Sequence, residues 1–299
     1  MKTFFMKPKI DYAFKEIMAD EMARRGFLSA ILRMPPEEIS ETILIDTHLN
    51  RKYPDDRLGI LDVRLQLNDG TETNIEIQLS KLSVWPERSL FYICKMYTDK
   101  IKPGDKYNSL KKCISISILD FTLFEDSEDF YSRFHIAEDI RHTFLTDKFE
   151  FHVIELPKLP KMGNDGTGSD STAKKFKGDF YFEKLTLWAK FINAEKKEEF
   201  EMIAQKDKYI DSAYQRLQTI SRDRQKRLEY EAREKALRDY NQSMSEARQE
   251  GERMLALLLT KLTEDKRAED IQNVLTDSAL RKKLYKEYGI NDGKDTFGS

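Results

Sequence analysis

The sequence predicts an α/β protein, a mixed central sheet flanked by helices, that continues into a long helix and a small helical C-terminal module. Three observations carry this expectation. Apolar and polar residues alternate on both sides of Asn68-Asp69-Gly70, the pattern of a half-buried β-hairpin. The run Cys113-Ile-Ser-Ile-Ser-Ile-Leu-Asp120 reads as a buried strand. Segments with apolar residues at helical spacing lie between these strands, and elements in this order argue for a sheet covered by helices.

From the N-terminus, Phe14, Ile17, Met18, Leu28, Ile31 and Leu32 recur at helical spacing. They predict one helix from about Asp11 to Leu32, stopped by Pro35-Pro36. Ile43-Leu44-Ile45 predicts a short strand. In the hairpin, Leu61, Val63, Leu65 and Leu67 alternate with Asp62, Arg64 and Gln66; beyond the turn, Ile75, Ile77 and Leu79 alternate with Asn74, Glu76 and Gln78. A second helix should span about Pro86 to Ile101, with Leu90, Ile93, Cys94, Tyr97 and Ile101 on one face. After the strand at 113–120 come a helix near Ser127 to Leu145 and a strand near Phe149 to Leu156.

Gly163 to Thr172 is a loop by composition, and a helix around Phe180 to Asn193 carries Leu185, Trp188 and Phe191. From Glu195 to Glu252 there is no proline, and Gly251 is the first glycine. Ile203, Ile210 and Leu217 recur every seven residues, as do Phe200 and Tyr214 two sevens apart, until Arg224 ends the series. A long helix is expected there, without a sustained coiled coil. Short helices follow at Met254 to Leu262, Ile271 to Leu275 and Ala279 to Tyr288, the last closed by Gly289. The expected divisions are a catalytic-type domain at 1–195, a charged helical connector at 196–252 and a helical module at 253–299.

Charged residues make up 35% of the 299 positions and apolar residues 39%, too apolar for disorder throughout yet suited to long solvated helices. The net charge of −2 means that any nucleic-acid surface must be a local patch. Cys94 and Cys113 have neither zinc nor redox spacing and read as reduced thiols, with a disulfide as the alternative, which sets the expectation of a cytoplasmic protein. The N-terminus has no long apolar core, and the run Met254 to Leu259 is too short to cross a bilayer, so no membrane partner is expected. His48, His135, His142 and His152 form no close ligand pair; His135 and His142 are seven apart and could share a helix face, and structural roles are expected for all four. No nucleotide-binding glycine fingerprint or nucleophile elbow is present, so no organic cofactor is expected.

The hairpin carries the chemistry. With Asn68-Asp69-Gly70 as a three-residue loop and Gly70 left-handed, Leu67 lies opposite Thr71 and Asp62 directly across from Glu76. A two-residue turn would put the two acids on opposite faces. Two such carboxylates repel unless a cation lies between them, and hard oxygen ligands suit Mg²⁺, with Mn²⁺ as the alternative. A solvated polar face is the plainer reading of the same spacing.

The stretch Gly59-Ile-Leu-Asp62-Val, a glycine turn and Asn74-Ile-Glu76-Ile-Gln78 resembles the D…ExQ form of the PD-(D/E)XK signature in the Rpn (recombination-promoting nuclease) family. Met6-Lys-Pro-Lys-Ile-Asp-Tyr-Ala-Phe-Lys15, Arg88-Ser-Leu-Phe-Tyr92, Cys113-Ile-Ser-Ile-Ser-Ile-Leu-Asp-Phe121 and Ile154-Glu-Leu-Pro-Lys158 resemble the same family, so the likeness covers roughly residues 6 to 160 in order. It implies a PD-(D/E)XK restriction-endonuclease-like core and a metal-dependent DNA endonuclease linked to recombination, mobile elements or defence against foreign DNA. Asp62 and Glu76 would be the metal-binding acids and Gln78 a further catalytic residue, standing where the wider superfamily has lysine. The resemblance also brings the Asp11 end of the first helix towards the site, although an acid there is a natural N-cap. Arg88 and Tyr92, four apart on one helix face, would border it. Lys95, Lys100, Lys102, Lys106, Lys111 and Lys112 read as a phosphate-tracking patch or as a solvated edge. The expected partners are DNA and a second copy of the chain, since two identical sites cut two strands. The alternative is a catalytically silent DNA-binding or oligomerisation protein that keeps the fold.

Overall fold

The computed structural model describes residues 4–39, 42–45, 48–49, 59–60, 62–81, 83–99, 101–160 and 178–290. The predicted loop at 163–172 and Lys100 lie outside them. The chain forms two compact units, Met1–Glu231 and Ala232–Ser299.

In the first unit, a six-stranded mixed sheet runs in the order β1 (Thr42–Leu44), β4 (Val63–Leu67), β5 (Glu72–Gln78), β6 (Cys113–Leu119), β8 (Phe149–Glu155), β7 (Tyr131–His135). The pairs β5/β6 and β6/β8 are parallel; β1/β4, β4/β5 and β7/β8 are antiparallel. A separate two-residue ladder joins β2 (His48–Leu49) to β3 (Gly59–Ile60). The parallel centre explains why β6 reads as an unbroken run, for all seven of its residues are buried.

The hairpin has the expected register. Leu67 N donates to the Thr71 carbonyl, Gly70 has φ 85°, and Val63 pairs with Ile75 and Arg64 with Asn74. Asp69 locks the turn by accepting from both Thr71 N and Thr71 Oγ1, each at 2.8 Å.

The helices differ from expectation in three places. The first splits into α1 (Asp11–Met18) and α2 (Glu21–Leu32), because Asp20 caps α2 through Ala23 N at 2.8 Å and is itself held by Ser212. The segment predicted as a helix at 127–145 is instead strand β7 with an irregular return, bridged at Ala137 and Phe144. His135 and His142 therefore share no helix face; His135 stacks on Phe144, and His142 takes a left-handed backbone with φ 56°. The long helix expected from residue 195 is three helices: α5 (Lys197–Ala204), α6 (Lys208–Arg222) and α7 (Arg224–Glu264). Asp207 caps α6 by accepting from Tyr209 N and Ile210 N, and Asp223 accepts from Lys226 N at the start of α7.

The remaining elements follow the sequence more closely. Helix α3 covers Trp85–Thr98, but its inward face is Trp85, Ser89, Ile93 and Met96, with Leu90 and Cys94 exposed. Helix α4 (Phe180–Asn193) has the predicted bounds. It packs with α1, α2, α5 and α6 in a helical layer around Phe14, Phe27, Trp188, Phe191 and Phe200, whose rings meet edge to face. Ile203, Ile210 and Leu217 are buried in this layer, so their sevenfold spacing belongs to a core and not to a connector.

The second unit contains most of α7, then α8 (Ala268–Thr276) and α9 (Ser278–Glu287). Met254–Leu262 is the end of α7 and not a separate helix. Its Leu258 and Leu262 join Val274, Leu284 and Ile290 in a small core, and Gly289 closes α9 with φ 62°. Among the described residues, no helix is long and apolar enough to cross a membrane.

Candidate functional site

The site is built on the side of the sheet that α3 covers. Because strand side chains alternate, Glu72, Asn74, Glu76 and Gln78 share that side with Cys113, Ser115, Ser117 and Leu119 of the parallel neighbour. Helix α3 lands on both ends of this strip, Ile93 and Met96 packing on Cys113 and Trp85 on Leu119. The opposite side of the same strands carries the buried Ile75, Ile77, Ile114, Ile116 and Ile118.

Below α3 the strip is polar in three steps. At one end Arg64 reaches Glu72 at 2.6 Å and Asp99 at 3.1 Å, all three side chains buried. In the middle, Ser89 meets Ser115 at 3.5 Å beside Asn74, whose Oδ1 is buried with no hydrogen-bond partner. At the other end lie the predicted acids. The Asp62 carboxylate accepts from Ile77 N at 3.1 Å, closing the open end of the hairpin ladder. Arg88 Nη2 donates to Glu76 Oε1 at 2.8 Å, and its guanidinium lies over the Tyr92 ring, 5.4 Å from the centroid. Asp62, Glu76, Arg88 and Tyr92 thus form one connected group.

Glu76 is held above the ordinary carboxylate range. Burial is the main cause; Arg88 opposes it by charge and hydrogen bond, and the neighbouring Asp62 charge adds to it. A divalent cation would offset the repulsion between the two acids. Among the described residues, no three His, Cys, Asp or Glu side chains converge as a metal cage. Two carboxylates with water or substrate oxygens completing the shell is the way Mg²⁺ is commonly held. The donor set fits that ion.

The other predicted residues are placed as follows. Gln78 turns its amide to the Ser80 carbonyl at 3.2 Å, and its own carbonyl accepts from Asp120 N. Asp11 occupies the first turn of α1, where Ile10 and not Asp11 is the capping residue. Lys102, Lys106 and Lys111 are exposed, and Lys95 lies 5.9 Å from the Phe91 ring centroid. Lys112 pairs with Glu150 on the far side of the sheet and so leaves the lysine group.

That far side holds a cluster which the sequence did not reveal. The Tyr131 hydroxyl lies 2.7 Å from His152 Nδ1, and His152 Nε2 lies 3.1 Å from Glu150 Oε1. Burial pushes Glu150 up, but His152 and Lys112 pull it well below the usual carboxylate range. The period-2 pattern of 149–155 could have put Glu150 and His152 on one face; nothing local pointed to Tyr131, which an unpredicted strand delivers.

A family model described as PD-(D/E)XK nuclease family transposase matches residues 8–247. No curated protein and no solved structure matches the chain.

Proposed function

The chain belongs to the PD-(D/E)XK nuclease family transposase group, and from that premise we propose that it is a metal-dependent DNA endonuclease hydrolysing phosphodiester bonds. The observation that supports this best is the hairpin register that brings Asp62 level with Glu76 beside Arg88. These two carboxylates would hold Mg²⁺, or Mn²⁺ in its place. When bound, such an ion lowers the pKa of a coordinated water and offsets charge building on the phosphate. Arg88, tied to Glu76 and steadied by Tyr92, would balance the remaining negative charge and orient a phosphate oxygen. Gln78 offers a neutral donor and acceptor for positioning water, where a lysine would add charge. The exposed Lys102, Lys106 and Lys111, with Lys95, would track the DNA backbone. We assign the protein to the cytoplasm, to recombination, mobile elements or defence, and to a homodimer whose two sites cut two strands.

The test is cleavage of supercoiled plasmid with and without Mg²⁺, comparing the native chain with Asp62→Ala and Glu76→Ala. Nicking that needs the ion and is lost in both variants supports the reading; nicking that survives either change refutes the site.

A second reading has its own observation. Both acids already have protein partners, Asp62 the Ile77 amide and Glu76 the Arg88 guanidinium. A catalytically silent DNA-binding protein would bind duplex with Mg²⁺-independent affinity and never nick it.

A further inference from the structure

We propose that the groove between α2, the start of α4 and the α5–α6 turn is a second nucleic-acid site, which holds an unpaired strand by its bases and phosphates. The proposal rests on nucleic acid as the partner, but not on the acids of the hairpin or on cleavage. The groove has a volume of about 500 Å³, within the range of sites that enclose a small ligand. Its floor is the small-residue face of α2, Gly26, Ser29 and Ala30. One wall is Phe180, Tyr181 and Lys184 of α4; the other is Lys206, Lys208 and Tyr209, where α5 turns into α6. Phe180 is 59% exposed, whereas Phe182, on the same turn, is buried in the core. The Phe180 ring is thus open to a ligand. The groove belongs to the helical layer and shares no residue with the hairpin site.

The occupant is argued from charge and from rings. Lys206 and Lys208 are exposed and have no carboxylate partner among the described residues. Lys184 donates to Asp207 at 2.5 Å, but the other oxygen of that carboxylate already caps α6 through Tyr209 N and Ile210 N. Lys206 lies close enough to the half-buried Lys190 to join burial in holding that ammonium below the ordinary lysine range. Besides Asp207, the described lining contributes one acid, Glu37, which is exposed at the rim. Crowded cations of this kind attract an anion. Two of the ammonium groups also lie beside rings, Lys184 5.4 Å from the Phe180 centroid and Lys208 5.0 Å from the Tyr209 centroid. Phosphates and bases alternate along a nucleic-acid strand, and cations set beside aromatic faces match that alternation. The strand must be unpaired, because in a duplex the base faces are stacked on one another and closed to a protein ring.

The experiment uses the full chain in EDTA, where a metal-dependent site is silent, and follows the fluorescence anisotropy of a labelled single-stranded oligothymidylate across a salt series. Phe180→Ala, at an exposed position, should weaken that binding about tenfold by loss of a stacking face. Lys206→Gln with Lys208→Gln should lower the slope of log affinity against log salt by about 0.7 per lysine. Both altered chains should keep the native melting midpoint and the native affinity for a blunt duplex. Unlabelled thymidine monophosphate should compete far more weakly than unlabelled oligonucleotide. A native chain that does not bind the single strand would overturn the proposal, as would variants that bind it as tightly as the native chain. So would an equal loss of duplex binding. Competition by the monophosphate as strong as by the oligonucleotide would make a free nucleotide the occupant and overturn it too. A chain that nicks no plasmid but binds the strand through Phe180 loses the nuclease reading and keeps this one.

Discussion

Replacing Glu76 by glutamine separates what the site does for folding from what it does for function. The carboxyl is buried and its pKa is raised, chiefly by burial, against the opposing pull of Arg88. A carboxyl raised in the folded state contributes stability that is present below its unfolded pKa and lost as pH rises through the folded one. In its ionised form Glu76 is therefore a net liability to folding. Its burial costs several kcal/mol, and the charge-assisted bond from Arg88 returns about 1.5–3 kcal/mol. Glutamine keeps the shape, accepts from Arg88 through its amide oxygen and removes the repulsion with Asp62. We expect Glu76→Gln to stabilise the first unit by about 1 kcal/mol at pH 7.5, which for its size raises the melting midpoint by about 2–4 °C. The advantage should fade below about pH 4.3, where a free glutamate is protonated. Mg²⁺ should raise the midpoint of the native chain and leave that of the variant unchanged. Differential scanning calorimetry at both pH values, with Mg²⁺ and with EDTA, measures all of this. A variant less stable than the native chain at pH 7.5 would mean that Arg88 outweighs burial. An equal Mg²⁺ response in both chains would remove Glu76 from the ligand set.

Three further outcomes follow from other parts of the structure. Arg64→Met leaves Glu72 and Asp99 buried without their shared cation, and urea titration should show a loss of about 3–5 kcal/mol. Gly26→Ala would place a methyl 2.2 Å from Tyr209 Cβ and 3.2 Å from the Trp188 ring; the helices must part, at a cost of about 3 kcal/mol, read by thermal melting. Lys102→Gln with Lys106→Gln should weaken duplex binding similarly for all sequences and reduce the slope of log affinity against log salt by about 1 per contacting lysine, measured by fluorescence anisotropy. An unchanged slope would leave those lysines as a solvated edge.

Which parts of this molecule could be read from its sequence depends on how local their determinants are. The hairpin was legible because its period-2 alternation and the left-handed Gly70 are set within about twenty residues, and the same register then aligned the two acids. Strand β7 was not, because among the described residues it lies at the sheet edge beside β8, and its conformation comes from pairing with residues some twenty positions away. The breaks at Asp20, Asp207 and Asp223 carry no proline or glycine; each is an aspartate cap, a signal that helical periodicity alone passes over. The series Ile203, Ile210 and Leu217 suggested one long helix, but it spans two helices of a core.

The lysines show how a rule already in use could have gone further. Lys111 and Lys112 were grouped because they are adjacent, yet they lead into β6, and neighbours on a strand point to opposite sides. Lys111 stays exposed near the hairpin turn at Gly70, while Lys112 crosses to Glu150 on the other side of the sheet. Alternation put Asp62, just before β4, and Glu76 in β5 on one side, and the same alternation, continued back from Cys113, separates a lysine free to meet phosphate from one committed to a buried carboxylate.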